Sequence, residues 1–241
     1  MSRLSNLRVQ TRFIISIVLT ALILAAEIIG GILSGSLALL SDAAHVFSDI
    51  FALGLSYFAL RLSLRPPDDR HSYGWRRAEV IAALVNGSSL VVIAVGIWVE
   101  AFKRWQSPVE IKSTPMLVIA VIGLLINVVV AFILGGHDHD HSPRGKSPTR
   151  NLNVHSAFLH VIGDLISSVG VIAAALIIRF TGANWVDPLI SIIIGVIILV
   201  SAWRVLRKSL HILIEGVPEG LSILQLNKEI CAITGVETVH D

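Results

Sequence analysis

Two long apolar stretches of this 241-residue chain each contain a histidine and an aspartate: His45 with Asp49, and His160 with Asp164. Ionisable side chains are costly in hydrocarbon and by default mark a working site. Each pair is spaced i, i+4, so on a helix both members lie on one face. Each pair also falls near the middle of its stretch, and the two stretches run in opposite directions. Helices facing each other would bring two imidazoles and two carboxylates together. Zn²⁺ favours four tetrahedral N, O or S ligands, and the two aspartates offset the charge of the ion. Mg²⁺ demands octahedral oxygen coordination and is rejected, while Co²⁺ and Cd²⁺ remain open on the same donors. The alternative, two local His–Asp contacts bracing a bundle, suits one pair better than two pairs of the same spacing and depth.

The elements that position these residues are legible from composition. The chain is 54% hydrophobic and only 15% charged, with a mean hydropathy of +0.78. That excludes disorder and a collagen-like chain, and leaves too little charge to coat a soluble globule. Cys231 is the sole cysteine, which excludes a disulfide scaffold. A net charge of +2 is too small to suggest nucleic acid as a partner. What remains is an all-α membrane protein in a lipid bilayer. A spanning helix needs about 20 apolar residues. Six runs qualify: Phe13–Leu33, Leu37–Leu60, Ala78–Trp98, Met116–Leu134, Leu152–Ile178 and Trp185–Trp203. Gly35 and Ser36 leave room only for a tight turn between the first two. The first run is too long for a signal-peptide core, contains Glu27 and lacks a clear cleavage site after it. Of the 19 lysines and arginines, 15 fall on the side of the termini and 4 on the other. The positive-inside rule therefore puts both termini in the cytoplasm.

The expected organisation is a cytoplasmic N-terminus over 1–12, a six-helix transmembrane domain over 13–208, and a cytoplasmic segment over 209–241. In that last segment Leu221–Ile233 has the pattern of an amphipathic helix and Val236–Val239 that of a strand, as in the start of a truncated α/β domain. The cytoplasmic loop 135–150 holds His137, His139 and His141 alternating with Asp138 and Asp140, a flexible metal-binding tract suited to collecting ions before entry. Glu27, Asn86 and Asn127 either face a watery path or brace helix contacts. Asp42 lies one turn before His45, towards the outer mouth. Gly30, Gly31, Gly163, Ser167, Ser168 and Gly170 suit close helix packing.

Taken together, the stretches Ser36–Asp49 (SLALLSDAAHVFSD), Asp69–Glu79 (DRHSYGWRRAE), Asn153–Asp164 (NVHSAFLHVIGD), Glu215–Pro218 (EGVP) and Val239–Asp241 (VHD) resemble the cation diffusion facilitators, in the bacterial zinc-efflux branch. The resemblance spans nearly the whole chain. It implies a homodimer in the bacterial inner membrane that exchanges cytoplasmic Zn²⁺ for H⁺ by alternating access, serving metal homeostasis and resistance. It also implies His45, Asp49, His160 and Asp164 as the transport site. Some members hold a second zinc between spans two and three; Asp68 and His71 match that site, but Trp75 stands where its second histidine would be. A regulatory zinc in the cytoplasmic domain would find only His240 as a matching ligand.

Two other functions compete with a Zn²⁺/H⁺ antiporter. An intramembrane zinc hydrolase needs an open coordination position and a general base, whereas four protein ligands close the site and HExxH is missing. A cation channel needs weak sites for fast exit, and four converging ligands bind too tightly for that.

Overall fold

The structure is a computed structural model and describes residues 2–66, 74–135, 148–218, 220–236 and 238–239. The side chains of residues 2–14, 131, 133–135, 148–162 and 164 are not among those described. Among the described residues seven helices follow in order: α1 (Ser2–Ser34), α2 (Leu37–Ser63), α3 (Ala78–Gln106), α4 (Ser113–Gly135), α5 (Pro148–Thr181), α6 (Val186–Leu213) and the short α7 (Ile223–Cys231). Five of the first six are long and apolar enough to cross a membrane: Ile15–Ser34, Leu37–Ser63, Ala78–Gln106, Ser113–Val130 and Val186–Leu213. In α5 the apolar stretch among the described residues is Leu165–Thr181. Large apolar side chains such as Leu22, Val92, Phe132 and Phe180 are exposed on the outside of the bundle, where water would penalise them and lipid does not. The chain is a multi-pass, all-helical membrane protein.

The turn between α1 and α2 shows how tightly the bundle is tied. Gly35 takes a φ of +73°, a conformation that favours glycine. Ser36 then caps α2, its hydroxyl accepting from the Leu39 amide at 3.1 Å. At Gly31 a Cβ would stand 2.7 Å from the Leu40 side chain, so α1 and α2 approach closely because that position is bare. The Lys112 amide donates to the Ser34 carbonyl at 2.9 Å, tying the α3–α4 connection to the end of α1.

Helix α2 lies at the centre, packed on α1, α3, α5 and α6, while α3 packs on α6 and α4 packs on α1 and α5. The core gathers around the N-terminal end of α2: Ala38 and Leu39 meet Ala94 and Ile97 of α3, Met116 and Ala120 of α4, Val171 and Ala174 of α5, and Ile194 and Ile198 of α6. Small residues at these contacts let helices come close where lipid provides no hydrophobic force between them.

Beyond α6, Ser222 caps α7, accepting from the Gln225 amide at 3.4 Å. No residue of α7 is buried. The helix expected within Leu221–Ile233 is present. The strand expected at Val236–Val239 is not formed among the described residues, as Val236, Thr238 and Val239 have no regular structure. A strand needs a partner to satisfy its backbone groups, and no described segment lies beside this one as a strand.

Candidate metal-transport site

His45 and Asp49 occupy successive turns of α2, His45 buried and Asp49 half-buried, and both are engaged with neighbours. One turn before His45, Asp42 is also buried and reaches across to α5. Ser167 Oγ donates to Asp42 Oδ1, and Ser168 Oγ donates to Oδ2 at 3.4 Å. These contacts give the relative height of the two helices.

The helices run antiparallel. The N-terminus of α2 is bonded to the N-terminus of α6 through Asp187, and α5 ends only a few residues before α6 begins. Three residues along α2 from Asp42 stands His45, and three residues back along α5 from Ser167 stands Asp164. Seven residues each way reach Asp49 and His160. With a rise of about 1.5 Å per residue in both helices, positions 45 and 164 stand about 4.5 Å along their own helices from the Asp42–Ser167 contact, in the same direction, and 49 and 160 about 10.5 Å. Steps of three and seven also stay on one helix face. The side chains of His160 and Asp164 lie outside the described ones, and no metal cage forms among the described residues.

The other metal-binding expectations fall elsewhere. Asp68 and His71 lie in 67–73, His137, His139 and His141 lie in 136–147, and His240 is near the end; all are outside the described residues. Trp75 lies in the turn leading into α3. Of the polar residues inside spans, Glu27 is buried against α4, and Asn86 is half-buried on α3.

A second polar centre holds the α2 end of the bundle. Asp187, in the first turn of α6, is fully buried. Its Oδ1 accepts from Ser36 Oγ at 2.6 Å and from the Ala38 amide at 3.2 Å, and its Oδ2 accepts from the Leu37 amide at 2.7 Å. Arg104, at the end of α3, brings Nη1 to 4.0 Å from Oδ2 and donates to the Gly35 carbonyl. The amides at a helix start lack intrahelical partners, and a carboxylate there meets both those donors and the positive end of the helix dipole. A side chain of α6 thus caps α2, the helix that carries His45 and Asp49. The sequence signal was an aspartate and a proline, Asp187 and Pro188, opening an apolar run, a pattern that by itself reads only as a helix start.

A family model described as the cation efflux transmembrane domain matches residues 13–214, a range that runs from within α1 to just past the end of α6. The chain belongs to the cation efflux family. It is a transporter and not an enzyme. It is 42% identical over 230 residues to a protein named zinc transporter ZitB from Yersinia pestis, covering 95% of this chain and 71% of that one. It is 42% identical over 227 residues to the metal cation efflux system protein CzcD of Cupriavidus metallidurans, covering 94% and 69%. It is 38% identical over 228 residues to a cadmium, cobalt and zinc/H(+)-K(+) antiporter of Bacillus subtilis, covering 95% and 71%. The matched region of this transporter includes both HxxxD pairs and the Asp42, Ser167 and Asp187 contacts.

Proposed function

We propose that this cation-efflux transporter exports Zn²⁺ from the cytoplasm in exchange for H⁺, with His45, Asp49, His160 and Asp164 as its transport ligands. The observation that supports this reading most is the α2–α5 contact at Asp42 and Ser167, from which steps of three and seven residues lead to both HxxxD pairs. Relatives named for zinc transport, and for cadmium, cobalt and zinc exchange against H⁺ and K⁺, support the substrate and the counter-ion. Cd²⁺ and Co²⁺ are secondary substrates on the same donors.

The ligand chemistry supplies the coupling. A metal ligand must be deprotonated, so zinc and protons compete for the imidazoles and carboxylates. Free imidazole titrates near pH 6.5, so an acidic outer side favours exchange of zinc for protons there. The protonated site returns inward without two bare carboxylates in hydrocarbon, which would be expensive. A less acidic cytoplasm frees the ligands for the next ion. The finer organisation in this reading is a homodimer in the bacterial inner membrane. It has six spans, both termini in the cytoplasm and an α/β segment beginning after α6. The His137–His141 tract, with Asp68 and His71, collects ions on the cytoplasmic side, and His240 belongs to a regulatory site.

Purified protein in liposomes tests this reading, with a zinc dye and a pH dye inside. Zinc flux should be saturable, should run with opposite proton movement and should go uphill only across a pH difference. Asp49→Ala should abolish it while the protein still folds, because an ion short of one charged ligand is poorly compensated in hydrocarbon. Near-normal zinc flux through folded Asp49→Ala protein would overturn the ligand assignment. Uphill zinc transport that survives a proton ionophore, with no other ion supplied, would overturn the antiport. Zinc hydrolase chemistry predicts no flux, and a channel predicts fast flux without proton movement.

A further inference from the structure

Glu27 lies two turns before the end of α1, is not one of the four proposed ligands, and is 1% exposed. Its Oε2 finds no hydrogen-bond partner among the described residues. Its Oε1 lies against α4 at Gly123, where a Cβ would stand 2.8 Å away, so the carboxyl occupies the space a side chain there would fill. Beside it the two helices leave a half-open apolar pocket of about 70 Å³, lined by Leu22, Ile23, Ile119, Ile122 and Ile126. A charge placed among these groups has little to stabilise it.

The charged groups around Glu27 are few. Helix α4 has no titratable residue anywhere along Ser113–Gly135. On α1 itself the other charges are Arg3, Arg8 and Arg12, the nearest of them 15 residues away or about 22 Å along the helix. Helix α2 contributes Asp42, which acts on Glu27 electrostatically, with His45 and Asp49 further along. Asp42 in turn is held by Ser167 and Ser168 of α5. Asp42 and the two serines thus form a polar cluster between α2 and α5, one turn before His45 on the side of the α1–α2 turn, and Glu27 of α1 lies within its electrostatic reach. Two carboxylates in a low-dielectric interior repel if both are ionised, and an isolated carboxylate in apolar surroundings is expensive. A serine hydroxyl answers one carboxylate of this pair, and no described donor answers the free oxygen of the other. The smallest ligand that neutralises it is a proton.

We propose that Glu27 is a second proton site of this transporter, separate from the zinc ligands, which binds H⁺ as zinc leaves and gives it up as zinc is taken in. The inference rests on the antiport reading above. Its balance is simple: one proton adds to the carboxylate on the outer side to form the neutral acid, and the same proton leaves to the cytoplasm. A +2 ion held at His45 and Asp49, one and two turns along α2 from Asp42, favours the ionised form of Glu27, and its departure removes that support, so zinc and the Glu27 proton alternate.

The test is the number of protons moved per zinc in reconstituted vesicles, recorded with both dyes during zinc flux down its own gradient. Glu27→Gln keeps the shape and hydrogen-bonding capacity of the side chain but cannot ionise. It should still pass zinc, with about one proton fewer per zinc than the unaltered protein, while Glu27→Asp should recover the full ratio. A bracing role for Glu27 would leave the ratio unchanged in Glu27→Gln, and that result would overturn the proposal. If Glu27→Gln does not fold, the infrared spectrum of the unaltered protein decides. A buried protonated-carboxyl band should be present without zinc, fade when zinc is added and move in Glu27→Asp, which sets it apart from the bands of Asp49 and Asp164; the lack of any band that moves with this variant would overturn the proposal. If the unaltered protein moves no protons with zinc, the antiport reading itself fails. If it does and Glu27→Gln matches it, only the Glu27 assignment fails.

Discussion

The two halves of α2 are built differently. From Leu37 to Ser48 most residues are buried, among them Leu37, Ala38, Leu39, Ser41, Asp42, Ala43, His45 and Ser48. From Asp49 to Ser63 the only buried residue is Ala59. The first half is held by buried polar contacts, with Asp187 on its leading amides and Asp42 bonded to α5. The end of the second half is held by exposed contacts: Ser63 Oγ donates to Glu79 Oε1 at 2.7 Å, and the neighbouring turn into α3 is tied by the Arg77–Glu215 ion pair. Exposed pairs of this kind contribute little, while breaking a buried charged contact is strongly destabilising. His45 and Asp49 therefore straddle the boundary between a fixed half-helix and a loosely held one. A carrier needs this asymmetry at any instant, because one side of its site must be shut while the other can open.

The difference is broken most directly at Asp187. Asp187→Ala removes three accepted hydrogen bonds and leaves the Ser36 hydroxyl and two helix-start amides without that acceptor, while Arg104 loses one nearby carboxylate but keeps the Gly35 carbonyl and Glu100. The expected cost is about 3–5 kcal/mol, the usual scale for removing one partner from a buried charged contact. It should appear as a large drop in the unfolding midpoint of the detergent-solubilised protein. Asp187→Asn, which keeps the shape and one acceptor oxygen, should fall between the two. A loss below about 1 kcal/mol in Asp187→Ala would mean that the first half of α2 is held by packing alone.

Ser167→Ala breaks the same half more gently. It deletes one hydroxyl donor to the buried Asp42 and leaves Ser168 in place at 3.4 Å. A buried polar group that loses a partner costs about 1–3 kcal/mol, so the midpoint should shift by less than in Asp187→Ala. A change as large as that one would show that the α2–α5 contact, and not the α6 cap, dominates this end of the bundle.

The sequence marked this architecture unevenly. Apolar runs located all six long helices, and the first residues of α2 and α3, Leu37 and Ala78, coincide with the starts of their runs. The far ends did not coincide: α3 continues from Trp98 to Gln106 and α6 from Trp203 to Leu213. Lys103, Arg104, Arg204, Arg207 and Lys208 interrupt the apolar count there but are good helix formers, so a helix passes through the interface where hydropathy stops. The i, i+4 spacing marked His45 and Asp49 because a helix turn is a local property. The partners of Asp42 and Asp187 were hidden. Ser167 lies 125 residues from Asp42, and Ser36 lies 151 residues from Asp187. Ser167 and Ser168 read only as small packing residues, and Arg104 only as a loop charge, because pairing across helices depends on their relative heights. No periodicity encodes that.

The smallest effect is expected at the loosely held end. Arg77 Nη2 lies 2.7 Å from Glu215 Oε1, yet the two side chains are 71% and 75% exposed. Water competes for both groups, and holding two long side chains in one geometry costs rotamer freedom. The net contribution of such a pair is about 0–1 kcal/mol, so Arg77→Ala should shift the unfolding midpoint little. What shift there is should fade with salt, since screening shortens the reach of a charge from about 30 Å at 0.01 M to about 3 Å at 1 M. Asp187→Ala should keep most of its cost at high salt, because its partners are shielded from ions by protein. Measuring both variants across that salt range therefore compares the two ends of α2 in a single experiment. A loss above about 2 kcal/mol for Arg77→Ala at 1 M salt would exceed what an exposed pair can supply. It would mean that this end is clamped as firmly as the other, and the contrast between a fixed and a movable half of α2 would be gone.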